Sequence, residues 1–384
     1  MSILLIDVLF DRATKVAEPV RVREPRRAQP EDTTRVGQLP RGRVKAVSVL
    51  FSTHPHFVAH DTGKMHPERP ARMQAVYDGV AESGVADALI RFEPRRATAL
   101  EVARVHPEPF LERLEAFTSA GGGKIEADTV VVEASYEAAL LAAGAGLESV
   151  ERLDAGEGDV AFCAVRPPGH HATSTRSMGF CLLNNVAITA KMLADRGERV
   201  MIVDYDAHHG NGTQDIFYED ANVVYVSFHE YPLYPGTGAL ADMGRRDGYG
   251  ATINFPLPSG ATGDVFRLGI DEVLVPFSES FDPTWLLVSA GYDAHRRDPI
   301  TGLGLSSGDY ADLTTQLSRL VKPGHQVVFL EGGYDLEAVT TSSAATLAAL
   351  CGENHRPEAP TSGGPGRSVV EAVQMRRSEA GFSA

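Results

Sequence analysis

The chain places two carboxylates and one imidazole directly after apolar runs, where they offer the ligands of a catalytic divalent metal. Asp206 and His208 follow one such run, and Asp293 follows another. Side chains two residues apart in an extended chain point to the same side, which groups Asp204, Asp206 and His208. Three protein ligands leave one coordination position for water, as in catalytic zinc sites. The pattern predicts a reactive metal centre.

Three further apolar runs end in polar or glycine-rich chemistry. They cover residues 160–165, 223–226 and 327–330, and they precede residues 166–171, 227–229 and 331–334. An Asp or His after a single strand is often only the cap of the next helix. Open parallel α/β sheets, however, bind ligands at the carboxyl ends of their strands, so five runs that end in this way indicate one shared site.

Amphipathic or apolar helical patterns alternate with these runs. They cover residues 70–82, 109–117, 135–153, 185–195, 264–280, 309–321 and 336–350. Alternating strands and helices imply right-handed crossovers and a parallel sheet covered on both faces. We therefore expect a single-domain, three-layer α/β/α fold with a central parallel sheet and the active site at the carboxyl ends of its strands.

The composition indicates a cellular compartment and limits the binding partners to be expected. The three cysteines, Cys163, Cys181 and Cys351, are too scattered for a disulfide framework, which favours a reducing cytoplasm. No apolar stretch approaches the roughly 20 residues that span a bilayer, so no membrane association is expected. A net charge of -15 argues against direct nucleic-acid binding and suits a cationic peptide or amine substrate.

Two terminal segments differ from the rest of the chain. Residues 21–45 carry eight Lys or Arg with several prolines, so residues 1–45 are predicted to be a flexible basic arm, with a specific docking element as the alternative. Residues 352–384 are rich in Pro, Gly and Ser and are predicted to be a C-terminal tail. The catalytic domain is then expected at residues 46–351.

Seven motifs, taken in order, resemble those of the histone deacetylase superfamily, on the side of the class II enzymes, bacterial deacetylase-like amidohydrolases and acetylpolyamine amidohydrolases. They are His66-Pro-Glu-Arg-Pro70, Arg166-Pro-Pro-Gly-His-His171, Gly179-Phe-Cys-Leu-Leu-Asn-Asn185, Asp204-Tyr-Asp-Ala-His-His-Gly-Asn-Gly-Thr213, Tyr234-Pro-Gly-Thr-Gly238, Ser289-Ala-Gly-Tyr-Asp293 and Glu331-Gly-Gly-Tyr334. The resemblance covers about residues 44–351. It implies a metal-dependent amidohydrolase that removes acetyl or related acyl groups from lysine side chains or acylated amines.

The resemblance also assigns catalytic roles. It makes Asp206, His208 and Asp293 the ligands of zinc, with iron(II) as the alternative metal. Tyr334 is implied to hydrogen-bond the developing oxyanion. His171 is implied to be the general base and then acid, and His170 its electrostatic partner. Polar partners are implied behind the two rings, Asp204 behind His170 and Asn211 behind His171. Paired histidines are otherwise often metal ligands, and that alternative stays open.

Other positions are implied to meet the substrate or a second ion. Phe180 and Tyr234 correspond to the aromatic walls of an acyl-lysine tunnel, beside Gly179, and Asp128 to a rim residue that holds the substrate backbone. Ile300 stands where polyamine-selective relatives carry a glutamate. Arg69 is implied to line an internal cavity, with a buried Arg–carboxylate pair as the alternative. A structural potassium ion is implied at Asp204, Asp206, His208, Ser227 and Phe228.

Three other functions remain open from the sequence. An acetylpolyamine or small-metabolite amidohydrolase would use the same metal chemistry. A non-enzymatic acyl-lysine binding module would keep the pocket but would not need Tyr334 and His171. An arginase-like ureohydrolase would need a manganese pair and more carboxylates than the motifs supply. The sequence does not fix the oligomeric state.

Overall fold

The computed structural model describes residues 47–382, so the predicted arm at 1–45 lies outside the described residues. Ten strands are found there: β1 (Val49–Ser52), β2 (Leu89–Phe92), β3 (Gly123–Lys124), β4 (Val130–Val131), β5 (Val160–Cys163), β6 (Val200–Asp204), β7 (Val223–Glu230), β8 (Thr252–Leu257), β9 (Trp285–Ala290) and β10 (Gln326–Leu330). Eight of them form one sheet in the order β2-β1-β5-β10-β9-β6-β7-β8. All neighbours in this sheet are parallel, whereas β3 and β4 form a separate antiparallel pair.

Helices connect the strands. The α-helices are α1 (Ala71–Glu82), α2 (Ala99–Val102), α3 (Glu108–Ser119), α4 (Ser135–Asp154), α5 (Asn185–Asp195), α6 (Asn211–Phe217), α7 (Gly263–Gly269), α8 (Val275–Phe281), α9 (Ser307–Leu317), α10 (Leu336–Leu350) and α11 (Arg367–Glu379). Short 3-10 turns cover Pro55–Ala59, Ala86–Ala88 and Arg246–Gly248. None of the described helices is both long and apolar enough to cross a membrane.

The helices flank a buried sheet. Strands β5, β6, β7, β9 and β10 are buried along their whole length, as parallel strands covered on both faces must be. Helices α4 and α5 pack on each other and on these strands, and α10 packs between α1 and α9. The predicted three-layer α/β/α fold with a central parallel sheet is confirmed.

The helix predicted at residues 264–280 is interrupted. Between α7 and α8 lies a single π-helical turn, Ile270–Leu274, which ends just before Pro276. Proline has no N–H group, so the carbonyl of Glu272, four residues earlier, loses its helical donor. The side chain of Gln374 from α11 donates to this carbonyl instead, at 3.3 Å. The unpaired carbonyl is thereby satisfied from a neighbouring helix.

The prediction of a tail at residues 352–384 is wrong for the described part of that segment. Helix α11 packs against the edge strand β8 and against α7, with Val370 and Val373 buried. Ahead of it, Glu358 accepts from Ser307 N at 3.0 Å. Two well-placed valines in a charged sequence give a weak apolar pattern, which is why the helix does not stand out. Covering an edge strand also prevents it from pairing with another chain.

Candidate active site and metal centre

The predicted metal ligands Asp206, His208 and Asp293 lie together beyond the carboxyl ends of β6 and β9. His208 Nδ1 is 3.2 Å from Asp206 Oδ1 and 2.9 Å from Asp293 Oδ2. All three residues are buried, and one ligand atom from each lies within 4.8 Å of the others. Because β6 and β9 are neighbours in the sheet, residues far apart in sequence meet here.

Backbone groups fix the two carboxylates from behind. Gly332 N donates to Asp206 Oδ2 and Ala207 N donates to Asp293 Oδ1, both at 2.8 Å. A Cβ atom at Gly332 would lie 2.4 Å from Asp293 Oδ2, so only glycine permits this approach. The second oxygen of Asp293 is left facing His208 Nδ1.

The electrostatics of this cluster favour a bound cation. Burial and the charge of Asp206 raise the pKa of Asp293 to about 7. Two buried carboxylates that converge on one imidazole nitrogen are stabilised when a metal ion lies between them. One nitrogen and two oxygens match the ligand preferences of zinc and of iron(II). The donor set therefore fits one divalent metal.

A second group of potential ligands, His170, Cys181 and Glu331, lies nearby and is also buried. Its carboxylate is already occupied. Glu331 Oε2 accepts from Gly169 N at 2.7 Å and from His170 N at 3.2 Å, and Oε1 accepts from Ser289 Oγ at 3.1 Å. Glu331 thus holds the histidine loop in place and is a poor candidate for a second metal ligand.

The two adjacent histidines each have a polar partner behind the ring. His170 Nδ1 donates to Asp204 Oδ2 at 3.0 Å, and His171 Nδ1 donates to Asn211 Oδ1 at 2.8 Å. The two ring centroids are 4.1 Å apart. In a neutral ring, these Nδ1 bonds leave Nε2 with a free lone pair. The structure brings these four residues together as two hydrogen-bonded pairs.

The partners give the two rings opposite charge preferences. Burial alone would lower the pKa of His170, but the charges of Asp204 and Asp206 outweigh it and raise this pKa to about 10. Burial and the neighbouring positive charge of His170 hold the pKa of His171 well below its usual range. The surroundings thus favour the charged form of His170 and the neutral form of His171, which can accept a proton.

In the loop that carries Tyr334, each residue from Glu331 to Tyr334 has a backbone group in a hydrogen bond. Glu331 O accepts from Arg72 Nη2 at 2.5 Å, and Gly333 O accepts from Arg72 Nε at 2.6 Å. Gly332 O accepts from Tyr292 N at 3.0 Å. Tyr334 N donates to Asp298 Oδ2 at 2.8 Å. The Arg72 guanidinium also lies over the Tyr334 ring, 5.3 Å from its centroid.

A buried carboxylate, Glu68, joins this loop to the histidine loop. It accepts from Arg72 Nη1 at 3.1 Å, from Arg166 Nη2 at 2.7 Å and also from Arg166 Nε. Burial opposes the charge of Glu68, but Arg166, His60 and Arg72 together hold its pKa well below the usual range. Arg166 begins the loop that carries the two histidines. One ion network therefore supports both catalytic loops.

Sequence reasoning missed Arg72 and Arg166 and selected Arg69 for a buried role. The structure leaves Arg69 half-buried, with its Nη1 donating to Lys64 O at 2.8 Å, whereas Arg72 is fully buried. The available signal was the spacing of Glu68 and Arg72, four residues apart at the start of a helix. Pairs at this spacing on a helix are usually exposed, so the spacing alone does not predict a buried ion pair.

Aromatic side chains flank the histidines on the solvent side. The Tyr234 ring is 5.2 Å from the His171 ring, and the Phe180 ring is 5.8 Å from the Tyr334 ring. Phe180 adopts a φ of 67°, a left-handed conformation that non-glycine residues rarely take and that often marks a functional turn. A Cβ at Gly179 would lie 2.5 Å from His171 Cδ2, so glycine is required there.

Asp128, the predicted rim residue, is half-buried beside these walls. His66 Nε2 donates to Asp128 O at 2.8 Å, and Thr129 Oγ1 donates to Asp128 Oδ1 at 3.1 Å. Thr129 Oγ1 in turn accepts from Phe180 N at 3.1 Å. Burial and the charge of Asp128 raise the pKa of Tyr234. Asp128 is thus linked to both aromatic walls.

The loop after Asp293 presents Ile300 to solvent and buries Asp298. Ile300 is 37% exposed. Asp298 is buried, and its two carboxylate oxygens accept from Ile300 N at 3.1 Å and from Tyr334 N at 2.8 Å. Asp298 thus ties the entrance loop to the tyrosine loop.

The residues predicted for a monovalent cation lie behind the metal ligands. Ser227 of β7 is paired with Asp204 of β6. Ser227 Oγ is hydrogen-bonded to His229 Nδ1 at 2.9 Å. Phe228 packs in an aromatic stack, with ring centroids 4.2 Å from Phe255. Its side chain is therefore part of the core, so only its backbone carbonyl could face an ion.

A histidine bonded through Nδ1, beside three converging residues that could hold a metal ion at the carboxyl edge of a parallel sheet, is an arrangement typical of metal-dependent hydrolases. Comparisons with known proteins agree. A family model described as histone deacetylase domain matches residues 66–350. The probable deacetylase of Archaeoglobus fulgidus is 38% identical over 321 residues, which cover 79% of this chain and 89% of that protein.

Two further relatives give the same result. The chloroplastic histone deacetylase 10 of rice, Oryza sativa subsp. japonica, is 35% identical over 339 residues, covering 82% of this chain and 76% of that protein. The crystal structure of the HDA15 HD domain is similar with a TM-score of 0.80 and 32% identity, covering 87% of this chain and 95% of that one. The chain belongs to the histone deacetylase family and is a hydrolase that acts on amide bonds.

Proposed function

We propose that the protein removes acetyl or related acyl groups from lysine side chains of peptides or proteins, with one zinc ion, or iron(II), held by Asp206, His208 and Asp293. The observation that carries this proposal is the position of the His171 ring, whose Nδ1 is bonded to the neutral amide of Asn211, beside the proposed metal ligand His208. Their ring centroids are 6.1 Å apart. A base in this position can take a proton from water held near the ligands.

A bound metal ion would polarise the acyl carbonyl and lower the pKa of water. The chain's own residues supply the proton transfers. His171 Nε2 accepts the proton from water, and the same nitrogen returns it to the departing amine. Asn211 holds the ring without adding a charge that would stabilise its cation. The positive His170, anchored by Asp204, favours negative charge on the reacting carbonyl.

Tyr334 completes the site by donating its hydroxyl hydrogen bond to the carbonyl oxygen. Burial holds its pKa well above the usual range, so the hydroxyl keeps its proton. The loop around it is fixed by Arg72, Tyr292 and Asp298. A donor already in place when charge develops costs no reorganisation, which is how such donors lower the barrier.

The entrance favours an acyl-lysine over an acetylpolyamine. Phe180 and Tyr234 flank a passage that suits the aliphatic part of a lysine side chain. Asp128 would accept backbone N–H groups of a peptide. Ile300 offers no charge to a distant ammonium group, and Asp298 already accepts two backbone N–H groups.

The arginines that follow Asp293, Arg296 and Arg297, contribute little to this preference. Arg296 pairs with Glu358 at 2.5 Å, and Arg297 pairs with Glu337 at 2.6 Å. Each arginine is therefore largely neutralised by its partner, and repulsion of a polyamine by these side chains is weak. The missing glutamate at position 300 remains the main argument.

We also propose a structural potassium ion beside Asp204, Asp206, His208, Ser227 and Phe228. Support comes from the carboxyl end of β6, where Asp204 is paired with Ser227 in the middle of β7. Backbone and carboxylate oxygens there are hard ligands of the kind that alkali cations prefer. Metal analysis of protein washed in sodium and in potassium buffers would test this by potassium retention.

Side-by-side kinetics test the proposed substrate class. Acetate release would be followed with an acetyl-lysine peptide and with acetylspermidine at equal concentrations. We expect a higher kcat/KM for the peptide. A higher kcat/KM for the polyamine would overturn the substrate assignment while keeping the amidohydrolase. Tight binding of the peptide with no acetate released from any substrate would indicate a binding module instead.

A further inference from the structure

A cavity of about 410 Å³ lies beside the entrance, outside the site described above. Helix α3, strand β3 and the loop at residues 175–177 surround it. Its walls combine apolar rings and chains with basic groups: Phe110, Leu114, Phe117, Arg113, Lys124 and Arg176. A volume of this size holds one or two amino-acid side chains. The mixture suits a ligand that is both apolar and anionic.

The basic groups of this cavity stand out in an acidic protein. The chain carries a net charge of -15, and arginines such as Arg95 and Arg245 form ion pairs with glutamates. Arg176 is paired with Glu126. Within residues 47–382, Arg113 and Lys124 form neither an ion pair nor a side-chain hydrogen bond. Their charges are therefore available to an acidic ligand.

Hydrogen bonds link the wall of this cavity to the residues at the catalytic entrance. Ile125, in its wall, has its N–H bonded to Thr129 O at 2.9 Å, and Thr129 Oγ1 accepts from Phe180 N at 3.1 Å. The charges of Glu126 and Arg176 also act on the pKa of Tyr234. The wall residue Ser177 lies three positions before Phe180. Three extended residues span roughly 10 Å, so a peptide could reach both places at once.

We propose that this cavity binds a flanking part of the substrate, an acidic residue next to an aromatic or large aliphatic residue, about three or four positions from the acyl-lysine. The inference rests on the proposed function, because it requires the acyl-lysine to lie in a peptide. The carboxylate would pair with Arg113 and Lys124, and the apolar side chain would pack on Phe110, Leu114 and Phe117. The preferred substrates would then carry an acidic residue and a large apolar residue near the acyl-lysine.

Two acetyl-lysine peptides of equal length test the proposal, one with a Glu-Phe pair in the flank and one with Gln-Ala. The wild type is compared with the double variant Arg113→Glu, Lys124→Glu. The matched control is Arg319→Glu, Lys322→Glu. It changes the net charge by the same amount, but its two residues lie between α9 and β10, at the amino ends of the strands. Phe117→Ala tests the apolar contribution.

We expect the wild type to show about fivefold higher kcat/KM for the Glu-Phe peptide, mainly through KM, since two exposed ion pairs contribute modestly. The preference should vanish in Arg113→Glu, Lys124→Glu and persist in the control. Phe117→Ala should reduce it. Turnover of a minimal acetyl-lysine substrate should be the same in all variants. Equal kcat/KM for both peptides in the wild type, or equal loss in the control, would overturn the proposal.

Binding separates this proposal from the proposed function. Fluorescence anisotropy with a labelled Glu-Phe peptide that lacks the acetyl group measures the cavity without catalysis. Stronger binding to the wild type than to Arg113→Glu, Lys124→Glu supports the cavity, even if no acyl-lysine is hydrolysed. Equal binding to both proteins rejects it, whatever the catalytic result.

Discussion

The floor of the site, residues 331–334, and its rim, which includes Tyr234 and Ile300, differ in how firmly neighbouring residues hold them. On the floor, each residue from Glu331 to Tyr334 has a backbone group bonded to a buried partner, chiefly Arg72 and Asp298. On the rim, Tyr234 and Ile300 are each 37% exposed. A rigid floor keeps the donors and bases in place before the substrate arrives, whereas an exposed rim can vary its contacts. Changes on the floor should therefore alter turnover, and changes on the rim should alter substrate preference.

The largest effect on the floor is expected from its proton carrier. His171→Ala should reduce kcat by about 10³-fold, because no other neutral base lies at this position. His170→Ala should be less damaging, since it removes a charge and leaves the proton route intact. Both variants should keep normal metal content, measured by elemental analysis. A clearly larger loss in His170→Ala would reverse the two roles.

Removal of the oxyanion donor should have the next largest effect. Tyr334→Phe keeps the ring beneath Arg72 and deletes only the hydroxyl, so kcat should fall by about 10²-fold. Metal content and thermal unfolding should be unchanged. Turnover close to that of the wild type would show that Tyr334 does not stabilise the transition state.

Loss of the support beneath the tyrosine should have a smaller effect. Arg72→Met removes the donors to Glu331 O and Gly333 O, and we expect kcat to fall about tenfold with little change in KM. Glu68 loses one of its buried partners, so the melting temperature should also fall. The matched control is Arg69→Met, a half-buried arginine three residues away.

Arg72→Lys provides a second measurement if Arg72→Met does not fold. A lysine cannot reach Glu68 and both carbonyl groups together, so reduced kcat should persist while stability partly returns. If kcat in the folded Arg72 variants equals that of Arg69→Met, the loop does not depend on this arginine.

The smallest effect should come from the rim. Ile300→Glu should shift kcat/KM by about fivefold toward acetylspermidine and away from the acetyl-lysine peptide, because a carboxylate at this exposed position attracts a cation. Ile300→Leu, which keeps the position apolar, is the control. An unchanged ratio in Ile300→Glu, or an equal shift in Ile300→Leu, would place the determinant of substrate preference elsewhere.

Local elements of the fold could be predicted from the sequence, whereas contacts between distant residues could not. Helices α5 and α10 have the bounds that their apolar patterns predict, because the side chains of Asn184 and Asp335 cap their first turns, and Gly197 and Gly352 follow their last turns. The metal ligands could be placed at one edge because parallel strands bring their carboxyl ends together. Charge partners such as Glu68 with Arg166, 98 positions apart, leave no local pattern.

Other features depended on contacts that a sequence pattern does not carry. No sequence pattern around Asp298 shows that its carboxylate accepts from Tyr334 N. Helix α11 was missed because only two valines and Arg377 of a charged segment are buried. Pro276 leaves the Glu272 carbonyl without its helical donor, but the bond from Gln374 that satisfies this carbonyl requires the packed helix.

A metal titration tests the central claim of one catalytic metal most directly. Protein freed of metal by a chelator would be titrated with zinc, and bound zinc and acetate release from an acetyl-lysine peptide would be measured in the same samples. We predict that activity rises with zinc and reaches its maximum at one equivalent, and that Asp293→Ala binds little zinc and remains inactive. Full activity without metal, a requirement for two equivalents, or full zinc binding by Asp293→Ala would contradict the account.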